Sequence, residues 1–199
     1  MILRGAGPSF CSGDDPNDRG YHDPEIEAMA LERHPYFHLE RVIRRVPKPV
    51  IAQVHGYCLG SAMDLLLASD FAVAAEDAQL GMRFGAHGIP LGMVFLSRYL
   101  GLKQLNEVLF RPEPMSGVEA HRLGLVTEVV PRAELEPRTE ALAARLAQPG
   151  ERFHNYFGLM KDSINRMVFP TLEDDIRMST LMTRLADLYR LQVPGTPRE

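Results

Sequence analysis

The hydrophobic and polar positions of this chain switch between strand-like runs and helical spacing over its first two thirds, then keep helical spacing to the end. Ile2 to Arg4 reads as a short strand and Gly5 to Asp18 as a turn-rich loop. Asp23-Pro24 opens a helical stretch, Glu25 to Leu31, with aspartate at the cap and proline at the first helical position. Pro35 interrupts it. The spacing of Phe37, Leu39, Val42, Ile43 and Val46 then predicts a second helix over Tyr36 to Val46. Pro47-Lys48-Pro49 is a stiff connector into a buried strand, Val50 to Val54. A helix from Ser61 to Ala68 follows a small-residue turn. Asp70 to Ala75 and Ala78 to Gly81 read as two more strands, and Gly85 to Gly92 as a loop rich in glycine and proline.

The second half is mostly helical. Val94 to Leu100 and Leu102 to Phe110 are two helices separated at Gly101, and Val118 to Leu123 is a short one stopped by Gly124. Val126 to Val130 is the last strand. Helices then cover Ala141 to Ala147, Asn155 to Val168 and Leu172 to Leu191, the last with an apolar stripe through Ile176, Met178, Leu181, Met182, Leu185 and Leu188. Strands alternating with helices, then helices alone, predict an α/β core with a helical C-terminal layer. Residues 1–133 would form the core and 134–199 the helical region of the same domain. No repeat, low-complexity segment or linker divides them.

Composition narrows the class. A chain of 199 residues with 45% hydrophobic content can bury a substantial core, most simply one domain. A net charge of -4 gives no electrostatic case for nucleic acid. No apolar run approaches the roughly 20 residues of a membrane span, and Met1 leads straight into a strand rather than a signal peptide. Cys11 and Cys58 lack metal-ligand spacing and read as free thiols in a reducing compartment. His34 and His38 have helical spacing, but Pro35 lies between them and no third ligand is evident, so no metal site is expected. A soluble cytoplasmic protein is the expectation.

The segment with most chemistry is His55-Gly56-Tyr57-Cys58-Leu59-Gly60-Ser61-Ala62-Met63-Asp64-Leu65. Gly60, Ser61 and Ala62 let another molecule approach the backbone at a helix start, where unpaired amides and the positive dipole end favour a negative oxygen. Asp64 follows about one turn further on, able to move a proton. Taken alone, an aspartate there is most often a capping residue, and glycine turns are ordinary connectors.

A second segment, Phe10-Cys11-Ser12-Gly13-Asp14, changes that balance. With His55 to Leu65, and with Ser116 to Ala120 before Leu123 to Pro131, it makes the chain resemble the crotonase superfamily, the enoyl-CoA hydratase/isomerase family, from about Ile2 to Asn165. The resemblance implies an α/β fold with a crotonase-like ββα spiral core and a helical C-terminal region used for trimer contacts. Family members carry some tens of residues before the point matched by Ile2, so the N-terminal part of the core is expected to be missing here. Either the start is internal to a longer gene product or this is a shortened member.

The resemblance also implies a site. The backbone N–H groups of Asp14 and Ser61 would form an oxyanion hole for a thioester oxygen, with Asp64 in the place of the family's catalytic glutamate. Cys11, Ser12, Gly13 and Gly60 would lie against the substrate. Lys161 stands where the family often has a basic residue near the CoA phosphates, though a solvated lysine fits equally. No cofactor is implied beyond the CoA thioester as substrate. The partners implied are an acyl-CoA and further copies of the chain, as a homotrimer or dimer of trimers, with no nucleic acid and no membrane; fatty acid metabolism is the setting.

One departure bears on the reaction. Hydratases of the family carry a second glutamate about three residues beyond the position of Gly81, where Phe84 stands here. No Asp or Glu occurs between Asp77 and Glu107. Two-carboxylate water addition loses a partner, while double-bond isomerisation needs fewer groups. His87 is either a replacement base or an exposed loop histidine. The competing expectation is a non-catalytic acyl-CoA-binding or assembly paralogue that lost the second carboxylate.

Overall fold

The computed structural model describes residues 1–13, 15, 35–82, 93–148, 150–175 and 178. Strand β1 (Ile2–Arg4) is followed by helix α1 (Pro35–Arg45), strands β2 (Ile51–Val54) and β3 (Tyr57–Leu59), and helix α2 (Ser61–Ala68). Strands β4 (Phe71–Ala75) and β5 (Gln79–Gly81) come next, then helices α3 (Met93–Tyr99) and α4 (Leu102–Phe110). Strand β6 (Met115–Ser116), helix α5 (Gly117–Arg122) and strand β7 (Glu128–Val130) lead into α6 (Leu135–Ala147) and α7 (Gly150–Val168).

Two sheets share these strands. One is parallel, in the order β1-β2-β4-β7; the other is β3-β5-β6, with β3 and β5 parallel and β6 antiparallel. The chain gives one strand to each sheet and then a helix, as β2-β3-α2 and β4-β5-α3. Repetition of that step is a ββα spiral. The first step uses a single bridge: Cys11 pairs in parallel with Cys58 beside β3. Sequence periodicity missed β3 and β6, because strands of three and two residues are too short to show alternation.

The parallel sheet is apolar on both faces, as parallel sheets are. Every residue of β2 is buried, Gln53 included. Helix α6 packs on β2 and β4 and begins at Leu135, six residues before the predicted Ala141. The helices expected over Glu25 to Leu31 and beyond Asp175 lie outside the described residues, Met178 apart. No helix among the described residues is long and apolar enough to cross a membrane.

Helix α2 is the centre of the packing. Seven of its eight residues are buried, so its ends must be satisfied by protein. At the C-terminal end all four last carbonyls have partners. Ser69 Oγ donates to Leu65 O at 3.0 Å and the Ser69 N–H to Leu66 O at 3.1 Å. Tyr99 Oη donates to Leu67 O at 2.8 Å and Arg44 Nη1 to Ala68 O at 3.1 Å.

A buried ion cluster holds that end together. Asp70 Oδ2 accepts from Lys161 Nζ at 2.7 Å and from the Val50 N–H at 2.9 Å. Arg44 lies 3.5 Å from Asp70 Oδ1, over the ring of Phe169, and donates to Asn165 Oδ1 at 2.9 Å through Nε. Helix α7 is thereby tied to α1, α2 and β4. Burial lowers the proton affinity of Lys161, and its bond to Asp70 works the other way. Asp70→Ala would leave two cations enclosed without their anion. It should cost about 3–5 kcal/mol in urea unfolding, and a loss below about 1 kcal/mol would mean that water already screens the cluster.

Candidate functional site

The opposite end of α2 carries the residues for which the sequence predicts chemistry. Gly60 precedes the helix with φ 60° and ψ -126°, a conformation that a side chain would strain, and its N–H donates to Gly81 O at 2.9 Å. The backbone is therefore turned sharply at Gly60 and clamped to β5, and α2 starts at Ser61 with its first amides directed out of the helix. Ser61 and Asp64 are both buried, at 4% exposure each. Gly60, not Asp64, occupies the cap position. Asp64 is the fourth helical residue, in the first turn, where the positive helix end favours negative charge.

The first loop is brought to the same place by backbone pairing. The Phe10 N–H donates to His55 O at 2.7 Å, the Cys11 N–H to Tyr57 O at 3.0 Å, and the Leu59 N–H to Cys11 O at 3.1 Å. Residues 10–13 thus run alongside β3 toward α2. Gly13, at φ 103°, ends the pairing, and a Cβ there would come within 3.0 Å of Leu59 O. Only glycine lets the loop lie that close to the turn before Ser61. His55 secures the loop further back: buried, it donates from Nε2 to the Gly7 carbonyl at 2.9 Å.

Cys11, Ser12, Gly13, Gly60, Ser61 and Asp64 are therefore one neighbourhood built from two distant stretches of chain. Asp14 and His87 lie outside the described residues. Lys161 requires a correction. Its expected place at the CoA phosphates is taken by an internal role, since its side chain is 3% exposed and its ammonium is bound to Asp70 and to Ile43 O, each at 2.7 Å. It sits at the C-terminal end of α2, about 12 Å of helix from Ser61 by the rise per residue. A cavity of about 330 Å³ adjoins it, lined by Arg44, Phe71, Tyr99, Phe157, Lys161 and Phe169. None of Gly13, Ser61 and Asp64 lines that cavity.

Two features escaped the sequence reading. His55 was read only as part of a motif, and nothing in local sequence signals its bond to a residue 48 positions earlier. Glu40 on α1 is 1% exposed. Its signal was available: it falls on the helical face of Ile43 and Arg44, at steps of three and four.

The sequence profile of the enoyl-CoA hydratase/isomerase family matches residues 1–184. The 1,2-epoxyphenylacetyl-CoA isomerase of Escherichia coli (strain K12) is 34% identical over 194 residues, covering 94% of this chain and 72% of that protein. A probable enoyl-CoA hydratase from Mycobacterium smegmatis superposes with a TM-score of 0.82 at 26% identity, over 98% of this chain and 77% of the other. An enoyl-CoA hydratase from Mycobacterium avium subsp. paratuberculosis K-10 gives 0.79 at 26% identity, over 97% and 75%.

The two thiols of the site should differ in reactivity. Cys58 is fully buried, and its pKa is pushed well above the usual thiol range by burial first, then by Cys11 and Asp64. The thiolate is the nucleophile. Near neutral pH, iodoacetamide should alkylate half-buried Cys11 in the native protein and reach Cys58 only after unfolding, as read by peptide mass spectrometry. Equal rates at both would show that this neighbourhood opens in the native state.

Proposed function

This chain belongs to the enoyl-CoA hydratase/isomerase family and has the crotonase fold, and from that premise we propose that it transforms an acyl-CoA thioester by proton transfer. The thioester oxygen lies between the backbone N–H groups of Asp14 and Ser61, with Cys11, Ser12, Gly13 and Gly60 against the substrate. Asp64 is the acid/base. The observation that carries this reading is the pairing of residues 10–13 with β3, which delivers Gly13 to the turn before Ser61 with Asp64 buried one turn on.

The chemistry suits that arrangement. Removing a proton from the carbon beside the thioester moves its electron pair onto the carbonyl oxygen as an enolate. Two amides stabilise that charge, one such donor contributing about 3 kcal/mol to the transition state. Returning the proton two carbons further along shifts a double bond with no net gain or loss of atoms. One carboxylate can do both steps. Water addition asks for a second group to activate the water, and Asp77 to Glu107 holds no carboxylate between its ends. Isomerase-type chemistry is therefore the preferred form, and the similarity to an E. coli protein named 1,2-epoxyphenylacetyl-CoA isomerase supports it. The second reading, an acyl-CoA-binding paralogue without turnover, draws on the missing carboxylate.

Binding and turnover separate the two. CoA thioesters should raise the melting temperature where free fatty acids do not. Asp64→Asn, nearly isosteric, should keep that shift and lose about 10²–10⁴-fold of turnover. His87→Ala is the companion: little change supports a single carboxylate, and a comparable loss assigns His87 a proton-transfer role beside it. Full turnover in Asp64→Asn would remove Asp64 from the mechanism.

Self-association as a homotrimer, or a dimer of trimers, belongs to the same proposal. Helix α7 leaves Tyr156, Leu159, Met160, Ile164 and Met167 exposed at helical spacing, an apolar stripe unusual on a solvated helix. Sedimentation equilibrium at micromolar concentration should give a multiple of three protomers; a monomer would remove this part.

A further inference from the structure

Cys11 and Cys58 come from distant stretches of the chain and meet as partners in an isolated parallel bridge. The Cys11 N–H donates to Tyr57 O at 3.0 Å and Cys11 O accepts from the Leu59 N–H at 3.1 Å, so the two bonds bracket Cys58. Residues paired in this register send their side chains to one face, while side chains alternate along each strand. Tyr57 is exposed on one face of β3, and Cys58 is buried on the other with Cys11 beside it. Neighbouring strands lie about 4.8 Å apart, within the Cα separation of about 4.4–6.8 Å that a disulfide spans. The nearness is also felt electrostatically. After burial, Cys11 is the strongest influence raising the Cys58 pKa, ahead of Asp64. The two thiols differ in access: Cys11 is half-buried, with Sγ 4.0 Å from Gly13 O, and Cys58 is fully enclosed, with Sγ 4.0 Å from Met63 Sδ.

We propose that Cys11 and Cys58 are a dithiol pair that a hydroperoxide converts reversibly to a disulfide, Cys11 reacting first and Cys58 resolving it. Cys11 Sγ, as the thiolate, attacks one peroxide oxygen. The S–O bond forms as the O–O bond breaks, and the departing oxygen takes a proton to leave as water. Cys58 Sγ then attacks the sulfur of the Cys11 sulfenic acid. The S–S bond forms as the S–O bond breaks, and the hydroxide leaves with the Cys58 proton as a second water. Two thiols lose two electrons and the peroxide gains them. Because the departing hydroxide carries off that proton, the enclosed Cys58 thiol needs no separate base.

The position of the pair gives the reaction its consequence. Cys11 lies in the segment that runs beside β3 to Gly13 and the turn before α2. A sulfenic acid left without a partner there goes on to sulfinic acid, which is irreversible and adds a fixed negative charge. A disulfide is neutral and is undone by thiol exchange. The chain has two cysteines, so Cys58 is the one resolving partner within a copy. The bridge is a single one rather than a rung inside a ladder, so drawing Cys11 toward Cys58 displaces one residue of pairing.

The test needs no substrate and stands apart from the thioester reading. Fully reduced protein is given hydrogen peroxide under native conditions, unfolded in excess iodoacetamide, and mapped by non-reducing peptide mass spectrometry. The main oxidised product should be a peptide pair joining Cys11 to Cys58, short of two hydrogen atoms and released by dithiothreitol. In Cys58→Ala the same treatment should leave Cys11 as a sulfenic acid that dimedone traps. Longer exposure should then give several-fold more Cys11 sulfinic acid than in the wild type. Wild-type Cys11 carried to sulfinic acid, with Cys58 still alkylated after unfolding, overturns the pair. A Cys11–Cys11 bond between copies, or no oxidation of either thiol, overturns it as well. If Cys58→Ala does not fold, the wild-type peptide map decides alone. Failure of the functional reading looks different: thioesters neither bind nor turn over, while the peptide map still shows the disulfide.

Discussion

A helix enclosed on nearly every side governs this structure. Helix α2 has only Leu65 partly exposed, so no polar group at its ends can rely on bulk water. An unpaired backbone group buried there would cost about 1–3 kcal/mol. The C-terminal end resolves the difficulty completely: Ser69, Tyr99 and Arg44 take up the four last carbonyls. Those donors come from the end of α2, from α3 and from α1. Satisfying one helix end therefore fixes the positions of two other helices.

The same constraint divides the charges of the protein into two groups. At the C-terminal end of α2, the cations Arg44 and Lys161 meet the negative helix end and Asp70, an arrangement that the dipole favours and that locks α7 into place. At the N-terminal end the charge is a carboxylate, Asp64, and the approaching segment is backbone rather than side chain. Amides have no titration and little freedom. The backbone at Gly13 and before Ser61 is therefore preorganised, its geometry fixed by strand pairing and by two glycines, Gly13 and Gly60, with positive φ. The ion cluster gathers at one end of α2, and Asp64 lies in the first turn at the other.

Much of the core was legible because its signals are local. Proline and glycine mark the ends of the elements, and the helical spacing of Tyr36 to Val46 and the apolar run at Val50 to Val54 each lie within a dozen residues. Gly60 and Asp64 could be matched to a known motif because four residues span one turn of helix. Short strands were not legible. Tyr57–Leu59 owes its existence to partners at Cys11 and at Gln79–Gly81, not to any period of its own.

The sequence by itself determined most of the order of the elements, the family resemblance, and the two stretches that the fold brings together, since each depends on residue type at fixed short spacing. Tertiary structure alone decided what each charged residue does. Lys161 reads in sequence as a basic residue on a helix; in the fold it is consumed by Asp70, 91 positions away. Glu40 reads as one polar position among several on α1, and only the fold shows it to be buried. The physical reason is one of range. Backbone propensity acts within a turn or two of helix, whereas burial and charge pairing depend on which distant segments exclude water from a group.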